Sequence, residues 1–227
     1  MKRSKINEIL RKSIEFVQTQ GFKLPPFAYW TPAQWENKGS EYDEIRENML
    51  GWDITDNGWD DFEHYGLVLF TIRNGSQQDK DRYPKPYAEK LLISMEEQET
   101  PLHFHWYKME DIINRGGGNL MVQVFNATED EQLADTPVTV YIDGSLRVVP
   151  AGTTIRLTPG ESITLPQRQY HRFYGEKGYG TVLVGEVSMC NDDKNDNRFL
   201  QQVGRFPTIE EDEAPLHYLC NEYPPSK

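Results

Sequence analysis

Thr100-Pro101-Leu102-His103-Phe104-His105-Trp106-Tyr107-Lys108-Met109-Glu110 is the stretch from which the architecture can be read. On a β-strand successive side chains alternate faces, so His103 and His105 point the same way, about 6–7 Å apart at Cα. Two imidazoles so placed among apolar and aromatic neighbours form a chelating pair. Glu110 follows five positions after His105. An unbroken strand would carry it roughly 17 Å onward and aim it at the opposite face, so a bulge or bend near Tyr107 to Met109 is expected to bring it back. A third imidazole, His171, lies one strand pair later, behind a turn at Pro166. His103, His105, Glu110 and His171 together make a site of three imidazoles and one carboxylate. Such donors suit Mn(II), Fe(II), Co(II), Ni(II) or Zn(II), and the lack of thiolate argues against a closed structural zinc centre.

Around this stretch the chain has the grammar of a β protein. Leu67 to Ile72, Lys90 to Met95, Leu120 to Phe125, Val138 to Ile142, Ser145 to Val149, Ser162 to Leu165 and Thr181 to Ser188 are short runs rich in β-branched and aromatic residues. They recur about every ten residues, as in a sandwich or barrel. Asp143-Gly144 between two such runs is a hairpin signal, because both turn residues must accept positive φ. The beginning differs. Ile6, Ile9, Leu10, Ile14 and Val17 fall at helical spacing and the pattern stops at Gly21, which predicts an amphipathic helix. Thr31-Pro32-Ala33-Gln34 reads as an N-cap with proline at the first helical position. Residues 1–61 are therefore expected to be a helical lead-in packed on a barrel formed by 62–227, within one structural domain.

Composition narrows the function classes. Of 227 residues, 24 are Lys or Arg and 36 Asp or Glu, a formal charge of −12 that repels nucleic-acid phosphates and anionic lipid. Neither partner is expected. The two cysteines, Cys190 and Cys220, are too few for a disulfide framework and suit a reducing cytoplasm. No apolar run reaches the ~18 residues of a membrane span, and the amino terminus lacks the apolar region of a secretory signal. The expectation is a cytoplasmic enzyme or binding protein acting on a small molecule.

The spacing extends in both directions. His103-x-His105-x4-Glu110-x6-Gly117 resembles the first cupin motif, and Gly160-x5-Pro166-x4-His171 resembles the second. The chain departs from those motifs at Glu97 and Arg168, where they carry glycine, and at Gly175, where the family often has asparagine; these positions bear on loop geometry more than on the ligands. The text narrows further. Glu89-Lys90-Leu91-Leu92-Ile93-Ser94-Met95, the histidine segment, Gly185-Glu186-Val187-Ser188, Asn191-Asp192-Asp193 and Asp196-Asn197-Arg198-Phe199 resemble the D-lyxose ketol-isomerase family of cupins over nearly the whole chain. That resemblance implies a mainly β cupin barrel, jelly-roll-like, with an N-terminal helical extension. It also implies a cytoplasmic, usually homodimeric, manganese-dependent aldose–ketose isomerase. Its couple would be D-lyxose with D-xylulose, and more slowly D-mannose with D-fructose.

Aldose–ketose exchange moves hydrogen between C1 and C2, either as a proton through a cis-enediolate or as a hydride. A divalent ion with two open positions can chelate O1 and O2 and hold the developing charge, while a base carries the proton along one face. Glu186, set in an apolar run, is the first candidate base, and a dry pocket would raise its pKa. Lys90 is a candidate for neutralising the oxyanion or binding a sugar hydroxyl, and Asp193 for meeting polyol hydroxyls or shuttling a proton. Glu110 would lie against substrate as well as metal. One or two lead-in tryptophans are expected to roof the pocket, and Phe104 to face away from the ligands. The same ligand set also fits a non-haem iron dioxygenase, a non-catalytic sugar-binding cupin or, given a phosphate clamp, a phosphoglucose isomerase.

Overall fold

The opening amphipathic segment forms helix α1 (Arg3–Thr19). The chain leaves it through Gly21 at φ +74°, a conformation cheap only for a residue without Cβ. The amides of Gly21 and Phe22 return to the carbonyls of Gln18 and Val17, satisfying acceptors that the last turn leaves open. The computed structural model describes residues 1–204 and 206–226. Three short helices follow, α2 (Pro32–Trp35), α3 (Asp43–Glu47) and α4 (Phe62–Tyr65). Thr31 and Gln34 cap α2 reciprocally: the Gln34 amide donates to Thr31 Oγ1 at 3.3 Å and the Thr31 amide to Gln34 Oε1 at 2.9 Å.

The strands are β1 (Gly51–Thr55), β2 (Leu67–Arg73), β3 (Tyr87–Ser94), β4 (His103–Phe104), β5 (Glu110–Gly117), β6 (Leu120–Ala127) and β7 (Leu133–Ala134), then β8 (Val138–Ile142), β9 (Ser145–Val149), β10 (Thr154–Leu157), β11 (Ser162–Leu165), β12 (Gln169–Gly175), β13 (Val182–Met189) and β14 (Arg198–Phe199). They build an eight-stranded sheet in the order β1-β2-β3-β13-β5-β11-β8-β9 and a six-stranded sheet in which β10-β6-β12-β4-β14 run side by side and β7 joins β6. This is the mainly β, jelly-roll-like architecture with a helical beginning that the motifs lead one to expect. Asp143 and Gly144 turn the β8–β9 hairpin at φ +49° and +76°.

Two cores explain the sequence grammar. Leu69, Leu92, Ile112 and Val184 of the larger sheet meet Leu120, Val122, Val124 and Phe173 of the smaller one. Val68, Phe70, Leu91, Ile93 and Leu183 point the other way, into a cluster with Ile6, Leu10 and Val17 of α1. Covered on both faces, β2, β3 and β13 read as continuous apolar runs, whereas β8, with Val138, Val140 and Ile142 buried and Thr139 and Tyr141 exposed, alternates. Arg3 ties α1 to the far end of the chain, ion-paired to Glu211 at 2.7 Å and to Glu222.

The helical reading of residues 22–61 needs correction at Gly51–Thr55, which is strand β1, paired antiparallel with β2 and buried throughout. Its aromatic and β-branched residues are compatible with a strand covered on both faces, a pattern that periodicity alone does not distinguish from buried helix. The two departures from motif glycines, Glu97 and Arg168, keep the glycine conformation at φ +57° and +58°, which costs about 1–2 kcal/mol for a residue bearing a Cβ. Backbone bonds hold both: the Glu97 amide donates to Gly175 and the Arg168 amide to the His105 carbonyl, at 2.8 and 2.9 Å.

Candidate active site

His103 on β4 lies directly opposite His171 on β12, and His105 follows as the chain leaves β4. The ring centroids of His103 stand 4.2 Å from those of His171 and 5.1 Å from those of His105. Each imidazole is oriented by a backbone carbonyl accepting from Nδ1–H: Pro101 for His103 at 2.8 Å, Asp196 for His105 at 2.9 Å and Gln169 for His171 at 3.0 Å. A carbonyl can only accept, so the proton of each neutral ring sits on Nδ1 and the Nε2 lone pair is left for a ligand. For His103 and His171 the carbonyl belongs to the residue two positions back on the same segment.

Glu110 opens β5 and so arrives from the larger sheet. Between β4 and β5 the chain bends through residues 105–109, as the odd spacing requires. Asp196 holds the bend, its carboxylate accepting from the Tyr107 and Lys108 amides at 2.7 and 2.9 Å. Glu110 Oε1 then lies 3.0 Å from His171 Nε2 and 3.4 Å from His105 Nε2. One donor atom from each of His103, His105, Glu110 and His171 falls within 4.8 Å of the others. His105 Nε2 and His171 Nε2 are buried with no hydrogen-bond partner, a costly state for polar atoms unless something else binds them. Orphaned nitrogens turned inward beside a carboxylate fit a divalent metal, and the cluster can hold one.

A second group of charges adjoins the first. Glu186 on β13 and Lys90 on β3 are cross-strand partners, each 4% exposed, with Lys90 Nζ 3.4 Å from Glu186 Oε1. Lys90 also donates to Asn191 Oδ1 at 2.6 Å, and Asn191 donates to Asp193 at 2.9 Å. The residues singled out in the sequence, His103, His105, Glu110, Lys90, Glu186 and Asp193, thus line one cavity, with His171 against it. Sequence reasoning missed Lys108, which is 3% exposed and reaches Glu110 Oε2 at 2.7 Å and Glu186 Oε1 at 2.9 Å. Its parity was a usable signal, since Lys108 and Glu110 stand two apart and face the same way on an extended chain. Asp196 was part of the family resemblance, but nothing local pointed to its tethering role, because its partners lie 88–91 positions away.

Two expectations are overturned. No lead-in tryptophan lines the cavity. Alternation on β1 sends Trp52 and Ile54 into the α1 cluster and leaves Thr55 to the cavity, while Trp30 and Trp35 pack on Tyr42 and Tyr223. The ring beside the ligands is Phe199, 5.4 Å from His103 between centroids. Phe104 does face away, packed on Tyr170 and Trp106. The Glu186 carboxyl is also not raised. Burial pushes it up, but the Lys108 and Lys90 ammonium groups outweigh burial and hold it below the usual carboxylate range. Glu110 is likewise pushed up by burial and held well below that range by Lys108 and the neighbouring imidazoles.

Burial, then His171 and His105, depress His103 well below the usual imidazole pKa. Burial also lowers the pKa of His217, whose Nδ1–H donates to the Trp30 carbonyl. A histidine whose folded pKa is depressed takes up its proton first in the unfolded chain. Metal-free protein should therefore lose stability as pH falls through about 6.5, at up to ~1.4 kcal/mol per pH unit for each such proton. The depressed carboxyls extend the loss below about 4.5. Urea unfolding at pH 8, 6.5 and 5.5 reads this, and a flat profile above pH 5.5 would contradict it.

A family profile described as D-lyxose isomerase matches residues 1–223. The D-lyxose/D-mannose isomerase of Serratia proteamaculans is 52% identical over 224 residues, 98% of each chain. The one from Escherichia coli O157:H7 is 51% identical over the same span. Among solved structures, L-ribose isomerase of Cellulomonas parahominis with L-ribose aligns with TM-score 0.60 at 15% identity, covering 92% of this chain and 98% of that one, a likeness of fold.

Proposed function

Because this chain belongs to the D-lyxose isomerase family and is a sugar isomerase, we propose that it interconverts D-lyxose and D-xylulose, and more slowly D-mannose and D-fructose. The observation that carries this reading is one buried carboxylate, Glu186, beside a cluster of three imidazoles and a glutamate. We assign Mn(II) to His103, His105, Glu110 and His171. A divalent ion held there would supply Lewis acidity to a carbonyl oxygen. The dioxygenase, sugar-binding and phosphoglucose isomerase readings of the same ligands give way to the family assignment. Homodimer and cytoplasm are carried by the same family resemblance.

The side chains divide the remaining work. Glu186, ionised because two ammonium groups face it, takes the proton from one of the adjacent carbons and returns it to the other. Lys90 and Lys108 offset its charge, and Lys90 with Asn191 and Asp193 supplies donors and acceptors to the polyol hydroxyls. Leu69, Leu92, Ile112 and Phe173 wall the cavity and exclude water that would otherwise compete for the transferred proton. A single carboxylate reaches one face of the intermediate, so it makes one configuration at C2. D-Lyxose and D-mannose share that configuration and D-xylose has the opposite one.

The test is a metal-stripped sample assayed against D-lyxose, D-mannose and D-xylose before and after Mn(II). Turnover should be negligible when stripped and return with Mn(II), in the order D-lyxose, D-mannose, then D-xylose far behind. Full activity in the stripped protein, or D-xylose turned over as fast as D-lyxose, would overturn the proposal.

A further inference from the structure

The Lys108 ammonium has three N–H bonds and three acceptors around it: Glu110 Oε2 at 2.7 Å, Glu186 Oε1 at 2.9 Å and Asn191 Oδ1 at 3.4 Å. The residue is also fixed at its other end, where its amide donates to Asp196 Oδ2. Such an ammonium, buried and bonded at every proton, has no freedom to turn toward a substrate hydroxyl. Its effect lies in what it does to the two carboxylates.

Glu110 is divided between two neighbourhoods. Oε1 faces His171 Nε2 at 3.0 Å and His105 Nε2 at 3.4 Å, while Oε2 belongs to Lys108. Glu186 is also one-sided, since Lys108, Lys90 and the Ser188 hydroxyl all converge on Oε1. Carboxylates bind divalent ions through one oxygen or both, and a charge-assisted bond to one oxygen favours the one-oxygen mode.

We propose that Lys108 is a positioning residue that confines Glu110 to a single oxygen on the metal and holds Glu186 by one oxygen so that its other is presented to the sugar. This rests on the four-ligand reading above and gives it a number. Three imidazole nitrogens and one oxygen leave two of six positions for the adjacent oxygens of the substrate. A glutamate bound through both oxygens would leave one, and a sugar could no longer chelate. Lys108 thereby decides how many positions the protein leaves open without touching the ion.

The test counts water on manganese. In Mn(II)-loaded wild type, water-proton relaxation and 17O line broadening of the EPR signal should report two inner-sphere waters. In Lys108→Met, which keeps the length and removes the charge, they should report one. KM for D-lyxose should rise on the order of 10–100-fold, the scale of losing an outer partner of a metal ligand. Glu186→Gln, which leaves the Lys108–Glu110 bond in place, should keep two waters. Two waters in folded Lys108→Met overturn the proposal and leave the four-ligand reading intact. If that variant does not fold, a crystal of manganese-loaded wild type decides: Glu110 Oε2 on Lys108 and off the ion supports the proposal, and both oxygens on the ion overturn it. Wild type that binds no manganese overturns the four-ligand reading and this proposal together.

Discussion

Glu186→Gln is expected to lower kcat on D-lyxose by about 10²–10⁴-fold, the usual contribution of a positioned acid–base group, while manganese remains bound. The substitution keeps the shape and leaves an amide oxygen able to accept from Lys108. Of the three carboxylates ion-paired to Lys90 and Lys108, it removes the one that both lysines share, so each buried ammonium loses a counter-charge. Stability should therefore fall by about 3–5 kcal/mol, as when one partner of a buried ion pair is lost, and the assay belongs at saturating manganese. In D2O the wild type should place solvent deuterium in the product, because the proton rides on a carboxylate between its two carbons. Deuterium in the product would rule out a pure hydride shift. Product free of deuterium fits either a hydride shift or a proton that the dry pocket keeps from exchanging, and the kcat of Glu186→Gln then decides between them. A variant with unchanged kcat would move the base elsewhere, with Asp193 the next residue to replace.

What the sequence disclosed and what it hid follow from the range of the interactions. His103 and His105 were legible because strand parity is local, and His171 because its turn and strand carry their own signals. Glu110 was legible only with a bend whose cause was not, since Asp196 tethers Tyr107 and Lys108 across 88–89 positions. Lys90 and Glu186 looked like separate candidates and are one cross-strand pair, a fact of register that no single strand records.

The overturned expectation for Glu186 has the same origin. Its apolar neighbours in sequence suggested a dry environment that would favour the neutral acid. Dryness is present, at 4% exposure, but so are two ammonium groups, Lys90 from β3 and Lys108 from the bend before β5, and at contact distances charge outweighs desolvation here. The misplaced tryptophans show a related limit. β1 joins the sheet edge and its alternation decides which side chains reach the cavity, so Thr55 lines it and Trp52 does not. Composition gave the aromatics, but only pairing with β2 said which way they point.

Losing one ligand should separate metal binding from folding. His171 is 1% exposed, and without metal its Nε2 is an unpartnered buried atom in a crowd of imidazoles and a carboxylate. Such groups destabilise the empty site. His171→Leu fills similar space without a polar atom, so the metal-free variant should be at least as stable as metal-free wild type. Its response to manganese should vanish. Wild type at a hundred times the dissociation constant should gain about 2.7 kcal/mol from binding, read as a rise in Tm, whereas the variant should gain nothing at the same concentration. Isomerase activity should be lost with it and should not return at millimolar manganese. A variant that still melts higher with manganese and still turns over D-lyxose would show that His103, His105 and Glu110 suffice to hold the ion. The three-imidazole reading would then be wrong even with the fold correct.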